Sequence, residues 1–223
     1  MLSTVRMPAV FSGIVEAQAL VFSAVQMSGL LRIRVQRPEA FDDVKAGDSI
    51  AGDGVCLTVD AVGIDFLGFA LGAETLQVTG WTDDFLIGRS LNLERSVRLG
   101  DRVHGHLVTG HVDAIGRVEV SRDDGGSRLL EIRAQAAVAP YVWRKGSWAL
   151  NGVSLTINDV RDQADGSVII GHCLIPETLL RTNLSGLEAG ASVTIEVDAA
   201  ARAYLRQLAL SPPPVAVTKG GPP

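Results

Sequence analysis

The chain has 223 residues, 47% hydrophobic and 20% charged, which is enough apolar content for one large core or two small ones. Its net charge is −5, with Lys and Arg scattered, which argues against a nucleic-acid binder built on a basic face. Mean hydropathy is +0.25, yet no apolar run approaches the roughly 20 residues of a membrane helix, and the start "MLSTVRMPAVFSG" lacks a secretory core, so the cytoplasm is the default location.

In chain order, residues 1–10 form a leader. "LLRIRVQ" (30–36), "LNLERSV" (91–97), "GRVEVS" (116–121) and "SVTIEVD" (192–198) alternate apolar and polar residues, the pattern of half-buried strands. "KAGDS", "DDGGS" and "EAGAS" punctuate them at the short spacing of an antiparallel barrel. Only "DAAARAYLRQLAL", from Asp198, reads as helix, being rich in Ala and Leu with an acidic start. The tail "SPPPVAVTKGGPP" reads as disordered. The two cysteines, Cys56 and Cys173, read as free thiols.

The sequence is duplicated. "SIAGDGVCLTV" from Ser49 returns as "SWALNGVSLTI" from Ser147. "ETLQVT" from Glu74 returns as "ETLLRT" from Glu177, "GRSLNLE" from Gly88 as "GASVTIE" from Gly190, and "SGIVEA" from Ser12 as "TGHVDA" from Thr109. The blocks keep their order at a spacing of roughly 100 residues, which suits a repeated small domain rather than a solenoid. The expected fold is all-β: two tandem Greek-key barrels of six strands, at 11–105 and 106–198, then a helix at 199–210 and a disordered tail at 211–223.

Three stretches could carry chemistry. In "DGVCLT" and "NGVSLT", residues two apart on a strand share a face, so Cys56 would point with Thr58 and Ser154 with Thr156, while the glycine lets a flat ligand near the backbone. The alternative is a buried turn with satisfied hydroxyls. "HGHLVTGH" holds His104, His106 and His111; His104 and His106 would share a strand face, as zinc ligands can, but no carboxylate or cysteine in the stretch completes a site. In "IPETL", Pro176 keeps Ile175 extended, as at a strand edge beside a ligand or at a barrel-edge turn.

Together "FSGIVE", "GVCLTV", "ETL", "LNLERS", "GHLVTGHVD", "KGSWALNGVSLTI", "IPETLLRT" and "VTIEVD" resemble, in order and over about residues 11–207, the trimeric α-chain riboflavin synthase family. The resemblance implies two Greek-key barrels with a trimerising C-terminal helix. It implies a transferase that dismutates two molecules of 6,7-dimethyl-8-ribityllumazine to riboflavin and a ribitylamino-pyrimidinedione by moving a four-carbon unit. Duplication then provides one pocket for each of two identical substrates.

In the family each active site lies between the first barrel of one subunit and the second barrel of its neighbour. Carried over, the resemblance places Gly13, Ile14, Val15, Ser49, Cys56, Leu57 and Thr58 in the first-barrel pocket. The strand Ala70, Leu71, Gly72, Ala73, Glu74, Thr75 completes that pocket, and Gly110, His111 and Val112 close it. In the second barrel, Lys145, Ser154, Leu155, Thr156 and the run Cys173, Leu174, Ile175, Pro176, Glu177, Thr178 hold the other lumazine, and Asp198 matches a family carboxylate near the reacting rings.

The implied catalytic set is His111, Cys56, Ser154, Thr156, Asp198 and Ser49. His111 is the natural base for an acidic ring methyl, Cys56 or a water beside it could add to the acceptor ring, and Ser154 and Thr156 could stabilise the resulting anion. No metal or organic cofactor is implied, and His104 and His106 become structural. The homotrimer's association with lumazine synthase is left open.

The chain departs from the family's pattern in its ten residues ahead of Phe11, in Asp53 where Asn is common, in His104 for a Gly, and in the bulky Trp81 and Trp148. The alternative is a non-catalytic lumazine or flavin carrier of the same fold, which would have lost the "GH" and "SLT" motifs that are present here.

Overall fold

The computed structural model describes residues 9–210; the leader up to residue 8 and the tail from 211 lie outside the described residues. The first half is a closed barrel of β1 (Ala17–Met27), β2 (Leu30–Gln36), β3 (Ser49–Gly52), β4 (Val55–Val62), β5 (Phe66–Leu71) and β6 (Ser90–Arg95), in the order β1-β2-β5-β4-β3-β6. Alternation is clean in β2, where Leu31, Ile33 and Val35 are buried and the residues between them face out. In β6 and in its second-half equivalent, Ser192–Val197, the intervening Asn92, Glu94, Thr194 and Glu196 are buried as well, because both faces of these strands are covered.

The second half repeats the design with seven strands. These are β7 (Ala114–Asp124), β8 (Ser127–Ala134), β9 (Ser147–Leu150), β10 (Val153–Thr156), β11 (Asp159–Asp162), β12 (Val168–Leu174) and β13 (Ser192–Val197), in the order β10-β9-β13-β7-β8-β12-β11. The fourth of the six expected strands, the equivalent of β4, has been cut in two. Ile157 and Asn158 interrupt it at the point where β4 carries a bulge between Val59 and Ala61. Their N–H groups turn aside to the carbonyls of Gly146 and Gly171. The two ends of this sheet, β10 and β11, are therefore consecutive pieces of one stretch, and the chain itself spans the gap. Equivalent bulges between Val21 and Ser23 and between Val118 and Val120 bend the longest strand of each half.

The helical expectation was incomplete. Besides the terminal α4 (Ala199–Leu210), the structure has α1 (Ala73–Thr79), α2 (Asp83–Leu86) and α3 (Pro176–Arg181). β5 ends at Leu71, so the expected strand Ala70–Thr75 is half helix. These helices are too short to show periodicity, but their ends carry signals: Pro176 at the first helical position and a left-handed Gly80 after Thr79. Ile175 is extended, as Pro176 requires. No described helix is long and apolar enough to cross a membrane.

The halves meet about a pseudo-twofold seam formed by the repeated "DG" and "NG" turns. Asp53 and Asn151 both adopt left-handed backbone, φ 43° and 44°, followed by Gly54 and Gly152 at 79° and 75°. A Cβ on Gly54 would lie 2.8 Å from the backbone nitrogen of Gly152, and one on Gly152 would lie 2.7 Å from that of Gly54. The two turns touch here backbone to backbone, which only glycine permits.

Asp53 is buried at this seam. Its Oδ1 accepts hydrogen bonds from the Asn92 N–H and from Asn183 Nδ2, both at 2.8 Å, and its carbonyl accepts from Thr194 Oγ1 at 2.5 Å. Burial pushes its carboxyl up to about 7 from 3.8. Deeper in the second half, Trp148 stacks on His172, and Trp148 Nε1 donates to His172 Nε2 at 2.9 Å. His172 Nδ1 then carries the ring hydrogen and donates it to the Thr156 carbonyl, and burial lowers its pKa to about 4. Trp81 and Trp148, bulky for the family pattern, are both core residues.

Two stability effects are expected. Gly152→Ala pairs a left-handed backbone with a clash against an immovable neighbour, and should cost about 2 kcal/mol or more, seen in thermal melts as a fall of about 4–8 °C. For Asp53 the folded pKa lies above the unfolded one, so the unfolded chain releases this proton first and stability falls as pH rises from 3.8 to about 7. Asp53→Asn removes that loss: its Tm should exceed wild type by several degrees at pH 8, with the gap closing by pH 4, whereas a gap constant with pH would contradict the assignment.

Candidate functional site

Each half lends the other a strap. Residues 11–15 enter from the first half, with Phe11 paired to Val108 of the second. Ser12 and Gly13 are held by a buried carboxylate of their own barrel: Glu94 Oε1 accepts from Ser12 N and Oγ, both at 2.7 Å, and Oε2 accepts from Gly13 N at 2.9 Å. The Gly13 carbonyl then accepts from the N–H of Ser154, across the seam, at 2.8 Å. In the other direction Glu196 accepts from Thr109 N and Oγ1 at 2.7 Å and from Gly110 N at 2.9 Å, and the Gly110 carbonyl accepts from the Cys56 N–H at 2.9 Å. Gly13 and Gly110 have φ of 73° and 77°, and a Cβ on either would come within 2.6 Å of the Cβ of Ser154 or Cys56. Val15 completes the second half's core, and Val112 packs on the first's.

Cys56 and Ser154 are thus equivalent positions. Each sits outward on its strand, beside a strap from the opposite half, with its neighbour Leu57 or Leu155 buried in the core. Thr58 and Thr156 share their outward face, as the strand period requires. Leu57, Leu155, Leu71, Leu174 and Val15 have core-facing side chains, so they can border a ligand only through their backbones.

On the first half, Cys56, Glu74, Thr75, Gly110, His111 and Val112 line one cavity of about 410 Å³. Glu74 and Thr75 reach it from the first turn of α1, and Gly72 and Ala73 precede them at the helix start. Ala70 lies on β5 and exposed Ile14 on the strap. Burial raises the Cys56 thiol above its usual range, a hydrogen bond to Ser49 opposes this, and the Glu196 charge adds to it. Cys56 is therefore a thiol near neutral pH, suited to hydrogen bonding more than to attack as a thiolate.

On the second half the chemistry differs. Ser154 Oγ lies 2.7 Å from His106 Nδ1, while His106 Nε2 is buried without a hydrogen-bond partner among the described residues. Burial lowers the His106 pKa, partly offset by the negative charge of Asp198. A neutral ring with its hydrogen on Nε2 lets Nδ1 accept from the Ser154 hydroxyl, the arrangement of a serine beside a base. The stretch 104–107 is not a strand: His104 is exposed on a loop, and His106 is committed to Ser154, so the two share no face. No described group of three or more His, Cys, Asp and Glu is placed to hold a metal.

Lys145 is exposed in a left-handed conformation, φ 70°, where the equivalent residue of the first half is Gly47. Such backbone costs a lysine about 1 kcal/mol or more, strain that marks functional positions. Cys173 ends β12 facing solvent, Ile175 is exposed at the start of α3, and Pro176, Glu177 and Thr178 form its first turn, with Glu177 paired to Arg181. Asp198 Oδ1 accepts from the Ala200 N–H at 2.7 Å and caps α4. The cavity around Cys56 is lined by none of Ser154, Thr156 or Cys173, whereas Gly13, expected in the first-barrel pocket, lies against Ser154 instead. Sequence reasoning set His106 aside as structural and gave Glu94 and Glu196 no role, although the aligned "LNLE" and "VTIE" placed both glutamates at one position of the repeat.

The family model for the lumazine binding domain matches this chain twice, at residues 12–96 and 109–198. Riboflavin synthase of Chlamydia trachomatis is 37% identical over 190 residues, covering 84% of this chain and 89% of that protein. Those of Brucella abortus and Mycobacterium bovis are 35% and 36% identical, each across 89% of this chain and 98% and 97% of their own lengths. In structure, the chain is similar to LumP complexed with 6,7-dimethyl-8-(1'-D-ribityl) lumazine and to LumP complexed with riboflavin. Both align with a TM-score of 0.73 at 21% identity, covering 84% of this chain and 98% of theirs. Two domain matches that fall on the two halves, with relatives aligned over nearly their whole length, make this chain a member of the riboflavin synthase family, built of two lumazine-binding repeats.

Proposed function

We propose that the protein is a riboflavin synthase that dismutates two molecules of 6,7-dimethyl-8-ribityllumazine into riboflavin and 5-amino-6-ribitylamino-2,4-pyrimidinedione. The observation that carries this reading is the equivalence of Cys56 and Ser154, each held by a glycine strap from the other half at a surface that can take a flat ligand. Two near-identical sites suit a reaction whose two substrates are the same molecule. The two products account for every atom of the two substrates, so the transfer of four carbons needs no oxidant or reductant.

The sites share a shape and differ in chemistry, as donor and acceptor must. His111, exposed at the Cys56 cavity, is free to take a proton from a ring methyl. Ser154, paired with His106, offers a hydroxyl to a developing anion or an adding nucleophile on the second half. Thr156 and Lys145 supply further polar contacts there, and Asp198 places negative charge near His106. Holding two rings in register contributes most, since well-oriented pairs gain about 7–11 kcal/mol.

The working form in this reading is a homotrimer in which the first half of one chain faces the second half of the next. That the Cys56 cavity is lined by none of Ser154, Thr156 or Cys173 supports it. So does α4, twelve residues long with Tyr204, Leu208 and Leu210 exposed, tied at its base by Arg202 to Asp113 at 2.6 Å. A helix of that length is marginal unless packed, and a neighbouring subunit would pack it.

Purified protein incubated with the lumazine alone, without metal, should yield one riboflavin and one pyrimidine for every two lumazines. Tight binding of lumazine without turnover would replace the synthase reading with a carrier. Ser154→Ala should lower kcat by about 10²-fold while leaving the melting curve near wild type. Truncation after Asp198 should shift the species seen in sedimentation from trimer to smaller forms, with activity lost in parallel.

A further inference from the structure

One place where the equivalence of the halves fails lies just past α1 and α3. Thr79 and Thr182 are equivalent: Thr79 Oγ1 donates to the Thr75 carbonyl and Thr182 Oγ1 to the Thr178 carbonyl, both at 2.7 Å, and each hydroxyl then accepts from the N–H two residues on. The residues that follow are Gly80 and Asn183. They end the two helices that carry the ligand-facing turns, α1 with Glu74 and Thr75 and α3 with Glu177 and Thr178.

Asn183 is bonded on every side to the seam. Its Nδ2 donates to Asp53 Oδ1 at 2.8 Å and to the Ser90 carbonyl at 3.0 Å. Its Oδ1 accepts from Asn92 Nδ2 at 2.9 Å and Asn151 Nδ2 at 3.2 Å, and its backbone N–H donates to Asn92 Oδ1 at 2.8 Å. Asp53, Ser90 and Asn92 belong to the first half, so this side chain fastens the end of α3 to the opposite barrel. On the other side Gly80 has no side chain, and a cleft of about 330 Å³ lies between the end of α1 and the second half, bordered by Gly80, Trp81, Asn151 and Thr194. Among the described residues α1 meets β7 of the second half by packing, and no hydrogen bond joins them.

We propose that Asn183 is a positioning residue for the second-half site: it locks α3 against the first barrel, while α1, lacking such a lock, shifts with its ligand, so that the two sites bind the same molecule with unequal affinity. This rests on the lumazine-site reading above and adds to it the source of the asymmetry that a dismutation of identical substrates requires. A site whose wall is fixed before binding avoids the cost of ordering it on binding. Removing the hydrogen bonds that fix this wall should cost that site about tenfold in affinity.

The test uses the full chain in its native assembly and riboflavin as the probe, since it does not turn over alone. Threonine-methyl NMR resolves Thr75 on α1 from Thr178 on α3, and amide hydrogen exchange compares Leu76 and Gly80 with Leu179 and Thr182. In the wild type the α3 amides should exchange about tenfold more slowly than those of α1. Asn183→Ala should bring α3 to the α1 rate and weaken the affinity reported by Thr178 about tenfold, with that reported by Thr75 within twofold of wild type. Equal weakening at both methyls, or no change at Thr178, would overturn the proposal. Should Asn183→Ala fail to fold, Asn92→Ala removes two of the four bonds from the opposite barrel and should move the same readouts in the same direction. If riboflavin perturbs neither methyl in the wild type, the lumazine-site reading falls; the exchange rates then decide the lock alone, and α3 amides as protected in Asn183→Ala as in wild type would refute it.

Discussion

The structure depends on two buried glutamates. Glu94 and Glu196 each gather three hydrogen bonds from a Ser-Gly or Thr-Gly pair of their own half. Burial raises both carboxyls above the usual range, a cost that the three donors offset. Fixing the strap's amides aims the following carbonyl across the seam at the N–H of Ser154 or Cys56. The carboxylate, the glycine and the strand position it faces therefore form one chain of cause. A carboxylate can accept from three converging donors where an amide cannot, which explains glutamate at both places.

The exchange of straps also makes the halves mutually dependent. Val15 finishes one core and Val112 the other, and the glycine turns at 54 and 152 leave no room for a side chain between them. Neither barrel is complete without a segment of its partner, so the duplication is one cooperative unit with two sites. Within it equivalent positions carry different side chains: Cys56 matches Ser154, Gly47 matches Lys145, and Gly80 matches Asn183. Equal scaffolds thus present unequal chemistry at matching places.

Protonation pulls on this unit from both sides. Asp53 favours its neutral form at the seam and His172 its neutral form in the core, so acid relieves the first and strains the second. Their windows overlap between about pH 4 and the ordinary histidine value of 6.5, where the two opposing slopes largely cancel.

Much of this was legible in the chain itself. Alternation placed β2, and the repeated "GVCLT" and "GVSLT" announced two equivalent outward pairs, because a strand's period of two is local and needs no partner to be read. The repeat also implied the duplication of the all-β domain. Tertiary structure alone decided which half each strap serves, that "HGH" is a loop with His106 turned to Ser154, that one strand of the second half is broken, and that Asn183 reaches Asp53. Those outcomes depend on contacts between residues that lie dozens of positions apart, and on where a buried polar group finds its partner. Periodicity and composition record how one segment meets a core; they carry no record of which distant segment supplies the other half of a hydrogen bond.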